Sequence, residues 1–204
     1  MKYLFTGFLL LLLTSCGGSV KSHDKDVKAL NNSSAQKAYT DTAWFADLRS
    51  LSAALSKGDL ARVKRWFKFP IMNAGNEIWI FTDTDENVQR DTALVPFTEH
   101  DFDARYVKLF PLELIRGLEK VRLDSLVPGM ADDLELGGSD SLRYSLLTYV
   151  DAANTEFSLV LNSTYIPLVG KKRDEEEVME SSVVYIFDIR DGRRLMFREL
   201  RMAD

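Results

Sequence analysis

The chain has 204 residues, 46% of them hydrophobic and 28% charged, with a formal net charge of −5. That composition fits a globular domain and excludes a disordered or fibrous chain. Lys+Arg 26 against Asp+Glu 31, with no long basic run, leaves no electrostatic footprint for nucleic acid. One cysteine excludes an internal disulfide framework, and two histidines leave little for zinc chemistry.

Residues 1–15 read as a signal peptide. Lys2 precedes the apolar run Leu4–Leu13, about half of the roughly 20 residues that a spanning helix needs. Leu13-Thr14-Ser15-Cys16 then has the order of a bacterial lipobox: an apolar residue, two small ones and a cysteine. In such signals the chain is cut before the cysteine, whose thiolate is the nucleophile that accepts the lipid. Cys16 is therefore the expected lipid attachment and mature N-terminus, and the membrane is the first expected partner. Each buried CH₂ contributes about 0.8 kcal/mol, so several acyl chains make a stable anchor. Gly17, rather than an aspartate that would favour inner-membrane retention, sets the expectation of an outer-membrane lipoprotein. Residues 16–40 are polar, with Asn31-Asn32-Ser33-Ser34 among them, and read as a flexible tether with a reach of a few tens of Å.

Residues 41–204 read as a single α+β domain. Asp41 or Thr42 caps a helix to about Lys57, with Trp44, Leu48, Leu51 and Leu55 on one face and Gly58 as its stop. Asp59 caps a second short helix with Leu60, Val63 and Phe67 inward, ending before Pro70. Arg62, Lys64, Arg65 and Lys68 form a basic flank expected to face solvent. The apolar middle of 77–82 predicts a strand, and 92–97 a second, confined to an edge or an end by Pro96. Thr98 and Asp101 open a third helix through a capping box, with Phe102, Tyr106, Leu109 and Phe110 inward. Leu112, Ile115 and Leu118 continue helically after Pro111. Residues 124–142, rich in Gly, Asp and Ser, read as a long loop. Four strands follow, over 143–150, 155–163, 183–189 and 194–200. Asp191-Gly192 marks a terminal hairpin, expected in or near the sheet interior. The charged run 171–177 reads as a solvated loop.

This element order, helix-helix-strand-strand-helix-four strands, resembles the cystatin-like superfamily that includes nuclear transport factor two. The resemblance implies N-terminal helices packed on a curved antiparallel sheet that encloses a cone-shaped pocket. Lys68-Phe69-Pro70-Ile71, Phe97-Thr98-Glu99-His100-Asp101-Phe102 and Val184-Tyr185-Ile186-Phe187-Asp188-Ile189 resemble uncharacterised Bacteroidota envelope lipoproteins. That group brings no activity with it, and the superfamily hosts isomerases, dehydratases, hydrolases and binding modules alike.

Catalytic motifs are sparse. Asp83-Thr84-Asp85-Glu86-Asn87 opens like a calcium loop, but Val88 and Leu94 stand where Gly and a bidentate Glu belong. Asp132, Asp133, Glu135 and Asp140 have no metal-ligand spacing. His100 falls about 160° from Phe102 on a helical wheel and so points outward. Neither a nucleophile elbow nor a phosphate loop occurs. No catalytic residue, metal site or cofactor is expected. If the pocket fold holds, Trp44, Trp79, Tyr106, Tyr149 and Tyr185 are its candidate lining, although aromatics also fill ordinary cores. The reading favours a non-catalytic domain that binds a small molecule or an envelope protein. The alternative is a small pocket enzyme using an Asp or Tyr as acid or base.

Overall fold

The computed structural model describes residues 42–82, 93–166 and 178–203. Cys16, the tether, the Asp83–Asn87 segment and the 171–177 charge run lie outside the described residues.

Among the described residues, five α-helices precede five strands. They are α1 (Trp44–Ser56), α2 (Leu60–Val63), α3 (Glu77–Thr82), α4 (Glu99–Leu109) and α5 (Leu112–Lys120). The strands are β1 (Ala131–Gly138), β2 (Leu142–Val150), β3 (Glu156–Tyr165), β4 (Met179–Arg190) and β5 (Arg194–Ala203). All strand pairs are antiparallel, in the order β1-β2-β3-β4-β5, with the helices packed on the sheet.

Local chemistry sets the helix boundaries. Asp59 accepts the Arg62 backbone N–H at 3.0 Å and starts α2. Thr98 and Asp101 exchange hydrogen bonds as a capping box at the start of α4. The α1 stripe of Trp44, Leu48, Leu51 and Leu55 is wholly buried, as are Phe102, Tyr106, Leu109 and Phe110.

Register carries the core through the sheet. Leu146 faces Leu161, Thr148 faces Leu159, and Val150 faces Phe157. Phe157 in turn faces Phe187, and Leu159 faces Tyr185, which faces Leu200. Alternation along each strand turns these rows toward the helices. Gly117 in α5 lets the helix sit close to β2: a Cβ there would lie 2.7 Å from Leu146 Cδ2. Bulges between Glu135 and Gly137 and between Ile186 and Phe187 shift register and bend their strands.

Three elements differ from the sequence expectation. Residues 77–82 form helix α3, not a strand. A short apolar run has no period that separates a strand from a buried helical turn. The chain turns through positive φ at Gly75 and Asn76 just before it. Ile78, Trp79 and Thr82 are then buried on one side, and Thr82 Oγ1 donates to the Ile78 carbonyl at 2.6 Å. Residues 93–97 form no strand; Phe97 makes one isolated antiparallel bridge with Ile71, 2.9 Å in each direction. The 124–142 segment is not all loop, because it contains β1. Asp and Gly are depleted in strands, so composition concealed it, yet Asp132, Leu134 and Leu136 alternate as its half-buried face. In the terminal hairpin β4 lies inside the sheet, paired with both β3 and β5, while β5 is an edge strand.

Side chains of α1, α3 and the segment before α3 cover that edge. Asp47 Oδ2 accepts the Leu195 N–H at 2.8 Å, and Glu77 Oε2 accepts the Met202 N–H at 2.7 Å. Asn73, 1% exposed, bonds Leu200 both ways. An uncovered row of strand N–H and C=O groups would be a template for another chain.

Candidate functional site

The structure places four of the five candidate aromatics in the core, each with its polar atom engaged. Trp44 lies against Phe45 and Phe157, and its Nε1 donates to Asn154 Oδ1 at 3.3 Å. Trp79 packs edge-on to Phe97 and donates to the Val95 carbonyl at 3.0 Å, while the Arg105 guanidinium sits 4.8 Å from its ring centroid. Tyr106 and Tyr185 both pack against Phe110. Their hydroxyls donate to the carbonyls of Leu55 at 3.4 Å and Leu109 at 2.9 Å. Burial pushes the Tyr185 phenol far above the ordinary tyrosine range, and burial followed by the Asp59 charge raises that of Tyr106. Tyr149 stands apart. It is half-buried and alternates with Thr148 and Val150, so it occupies the sheet face away from the helices.

His100 is exposed in the first turn of α4, as its helical position predicts. Asp132 bonds Ser125 Oγ, and its backbone carbonyl accepts from Thr148 Oγ1 at 3.3 Å. Among the described residues, no three His, Cys, Asp or Glu side chains are grouped to hold a metal.

Concavities occur at the surface. A groove of about 360 Å³ runs between α1 and α5, with Leu48, Leu118 and Val121 below and Arg49, Lys57 and Glu119 at its rim. A hollow of about 260 Å³ lies beside β1, where Lys120 and Arg122 face Asp132 and Asp133. A third, of about 210 Å³, lies between α1, α2 and the start of β5, lined by Asp47, Arg62, Arg65, Trp66, Arg194 and Leu195 among others.

The third hollow divides the basic flank in two. Lys64 turns away and forms ion pairs with Glu99 at 2.9 Å and Asp103 at 2.7 Å. The Asp103 and Glu99 hydrogen bonds hold its ammonium above the usual lysine range. Arg62 and Arg65 instead join Arg194, which lies about 130 residues further along the chain. Sequence reasoning could see the first two, because their three-residue spacing puts them on one helical side. It had no signal for the third.

No family model matches the chain, and no curated protein matches it. Among solved structures, one similar chain is the crystal structure of a "putative polyketide cyclase" from Xanthomonas campestris pv. campestris. It shares 11% identity, with 80% of this chain and 91% of that chain covered, at a TM-score of 0.30. A likeness that distant carries neither a reaction nor a ligand to this protein.

Proposed function

We propose that this protein is an envelope lipoprotein, held at the outer membrane by lipid on Cys16, whose α+β domain binds a small molecule or an envelope protein without catalysing a reaction. The observation that carries the reading is the apolar run Leu4–Leu13 leading into Leu13-Thr14-Ser15-Cys16. Cystatin-like ancestry and kinship with Bacteroidota envelope lipoproteins belong to the same proposal. The non-catalytic half draws support from the core. The hydroxyls of Tyr106 and Tyr185 and the indole N–H groups of Trp44 and Trp79 are already taken by protein acceptors. An acid or base needs its proton within reach of substrate. We therefore place binding at the surface concavities rather than among the interior aromatics.

Mass spectrometry of the membrane-extracted chain tests the anchor. The expected product begins at a lipidated Cys16, and Cys16→Ala releases the protein from membranes or blocks its processing. An unmodified Cys16, or a mature chain beginning elsewhere, overturns the anchor. Native mass spectrometry of the protein taken from its own envelope tests the binding half. A co-purifying small molecule or envelope protein supports it, and turnover of a recovered compound overturns the non-catalytic reading.

A further inference from the structure

We propose that the hollow between α1, α2 and β5 is an anion site for a phosphate monoester group, held by Arg62, Arg65 and Arg194. This deepens the binding half of the function proposed above and rests on it; the anchor is independent.

Three observations converge. First, the arginines come from three separate places, α2, the 3₁₀ turn Lys64–Trp66 and the first residue of β5, yet line one concavity of about 210 Å³. Its floor includes the buried Trp66 and Leu195. Second, none of the three guanidiniums has an ion-pair partner among the described residues. That is not a shortage of acid, since the chain carries Asp+Glu 31 against Lys+Arg 26. Acidic partners are used by other cations nearby: Lys64 pairs with Glu99 and Asp103, Arg198 with Glu156 and Asp188, and Arg201 with Glu199. Third, the one carboxylate in the hollow, Asp47, already accepts the Leu195 N–H. Three arginines and one aspartate leave an excess of two positive charges in the hollow.

That arrangement selects the ligand class. Guanidinium forks bond oxyanions in bidentate fashion and stay charged at any physiological pH. A phosphate monoester carries about −1.5 to −2 charge at pH 7 and three acceptor oxygens, which matches the surplus charge and the number of forks. A carboxylate offers two oxygens and half the charge. The phosphate could belong to a free metabolite or to a lipid headgroup; the recognition chemistry is the same.

The test uses the full chain in detergent micelles at low ionic strength, titrated calorimetrically. One arm adds inorganic phosphate, and the other adds short-chain phosphatidic acid, with phosphatidylcholine of equal chain length as its control. Saturable binding at a single site is expected in at least one arm. Binding in the first arm assigns a free phosphate, and binding in the second alone assigns a headgroup. In either case Arg65→Gln combined with Arg194→Gln should weaken binding at least tenfold. Arg194→Lys, which keeps charge but loses the fork, should weaken it less. Arg143→Gln, on an exposed position of β2 that lines none of the three concavities, should leave it unchanged. Unfolding midpoints of the variants should match the parent, since the three side chains are exposed. Absence of saturable binding in both arms overturns the site, as does equal weakening by Arg143→Gln. A ligand recovered from the envelope alongside such a failure would leave the binding function standing and only this site refuted.

Discussion

Asn73 does for Leu200 what a sixth strand would do: Nδ2 donates to the Leu200 carbonyl at 2.8 Å, and Oδ1 accepts the Leu200 N–H at 2.7 Å. The side chain is 1% exposed, so both bonds are made away from water. Leaving buried backbone groups unpaired costs about 1–3 kcal/mol each. Asn73→Ala is therefore expected to lower unfolding free energy by about 2–4 kcal/mol, read from urea midpoints at constant slope. The same change opens part of the β5 edge, so sedimentation should reveal concentration-dependent self-association. A loss below about 0.5 kcal/mol would show the pairing to be dispensable.

Gly117 is fixed by proximity rather than by backbone conformation. An added Cβ would lie 2.7 Å from Leu146 Cδ2, 3.2 Å from Leu136 Cδ1 and 3.3 Å from Leu146 Cβ. Alanine would favour the helix by about 1 kcal/mol, but overpacking of this kind costs about 1–3 kcal/mol. The contact to Leu146 Cβ, which is tied to the strand backbone, decides the sign. Gly117→Ala should destabilise the protein, and Gly117→Val more so. In a Leu146→Ala background the penalty should shrink, giving a measurable coupling in a double-mutant cycle. Equal penalties in both backgrounds would locate the strain elsewhere.

Asp151 organises the turn between β2 and β3. Its carboxylate accepts from Thr155 N at 2.6 Å, Thr155 Oγ1 at 2.8 Å and Glu156 N at 2.8 Å. Partial burial alone would raise its pKa, but these hydrogen bonds outweigh burial and hold the carboxyl below the ordinary aspartate range. A depressed folded pKa gives stability that is present above the unfolded pKa and lost as pH falls through the folded one. Asp151→Asn should cost about 1 kcal/mol near neutrality, after discounting for solvent screening. The gap between parent and variant should close as pH drops below about 4. A gap that stays constant down to acid pH would mean that the carboxylate charge contributes nothing.

Tyr185 is wholly buried, and its hydroxyl serves the Leu109 carbonyl at the end of α4. Tyr185→Phe should lower stability by about 1–2 kcal/mol, because the carbonyl loses its donor. Tyr106→Phe should cost less, since its bond to Leu55 is longer at 3.4 Å. Absorbance titration should find the Tyr185 phenol silent until the protein unfolds in alkali. Loss of a co-purifying ligand in Tyr185→Phe, with stability preserved, would move the binding site into the core.

Much of the architecture is legible in the sequence. The inward stripe of α1, the Asp59 and Thr98 caps and strands β2 and β3 follow from contacts within a few residues. Asp191 and Gly192 both take positive φ, as their hairpin turn demands. Such features need only local periodicity, a short polar cap or a permitted backbone angle.

Other features depended on partners distant in sequence. Residues 77–82 are helical because Glu77 reaches the Met202 N–H while Ile78 and Trp79 turn into the core, which a six-residue apolar run cannot encode. Residues 131–138 form a strand, despite their Asp and Gly, because β2 supplies the hydrogen-bonding partner. The candidate aromatics divide in the same way. Composition marks all five as large and apolar, but only strand phase sends Tyr185 inward and Tyr149 to the far face. The arginine hollow is the extreme case. Arg62 and Arg65 declare themselves by spacing, whereas Arg194 joins them only because β5 ends the meander beside α1 and α2. A linear chain specifies the period of each element; which charges share a hollow is fixed when register and packing bring the elements together.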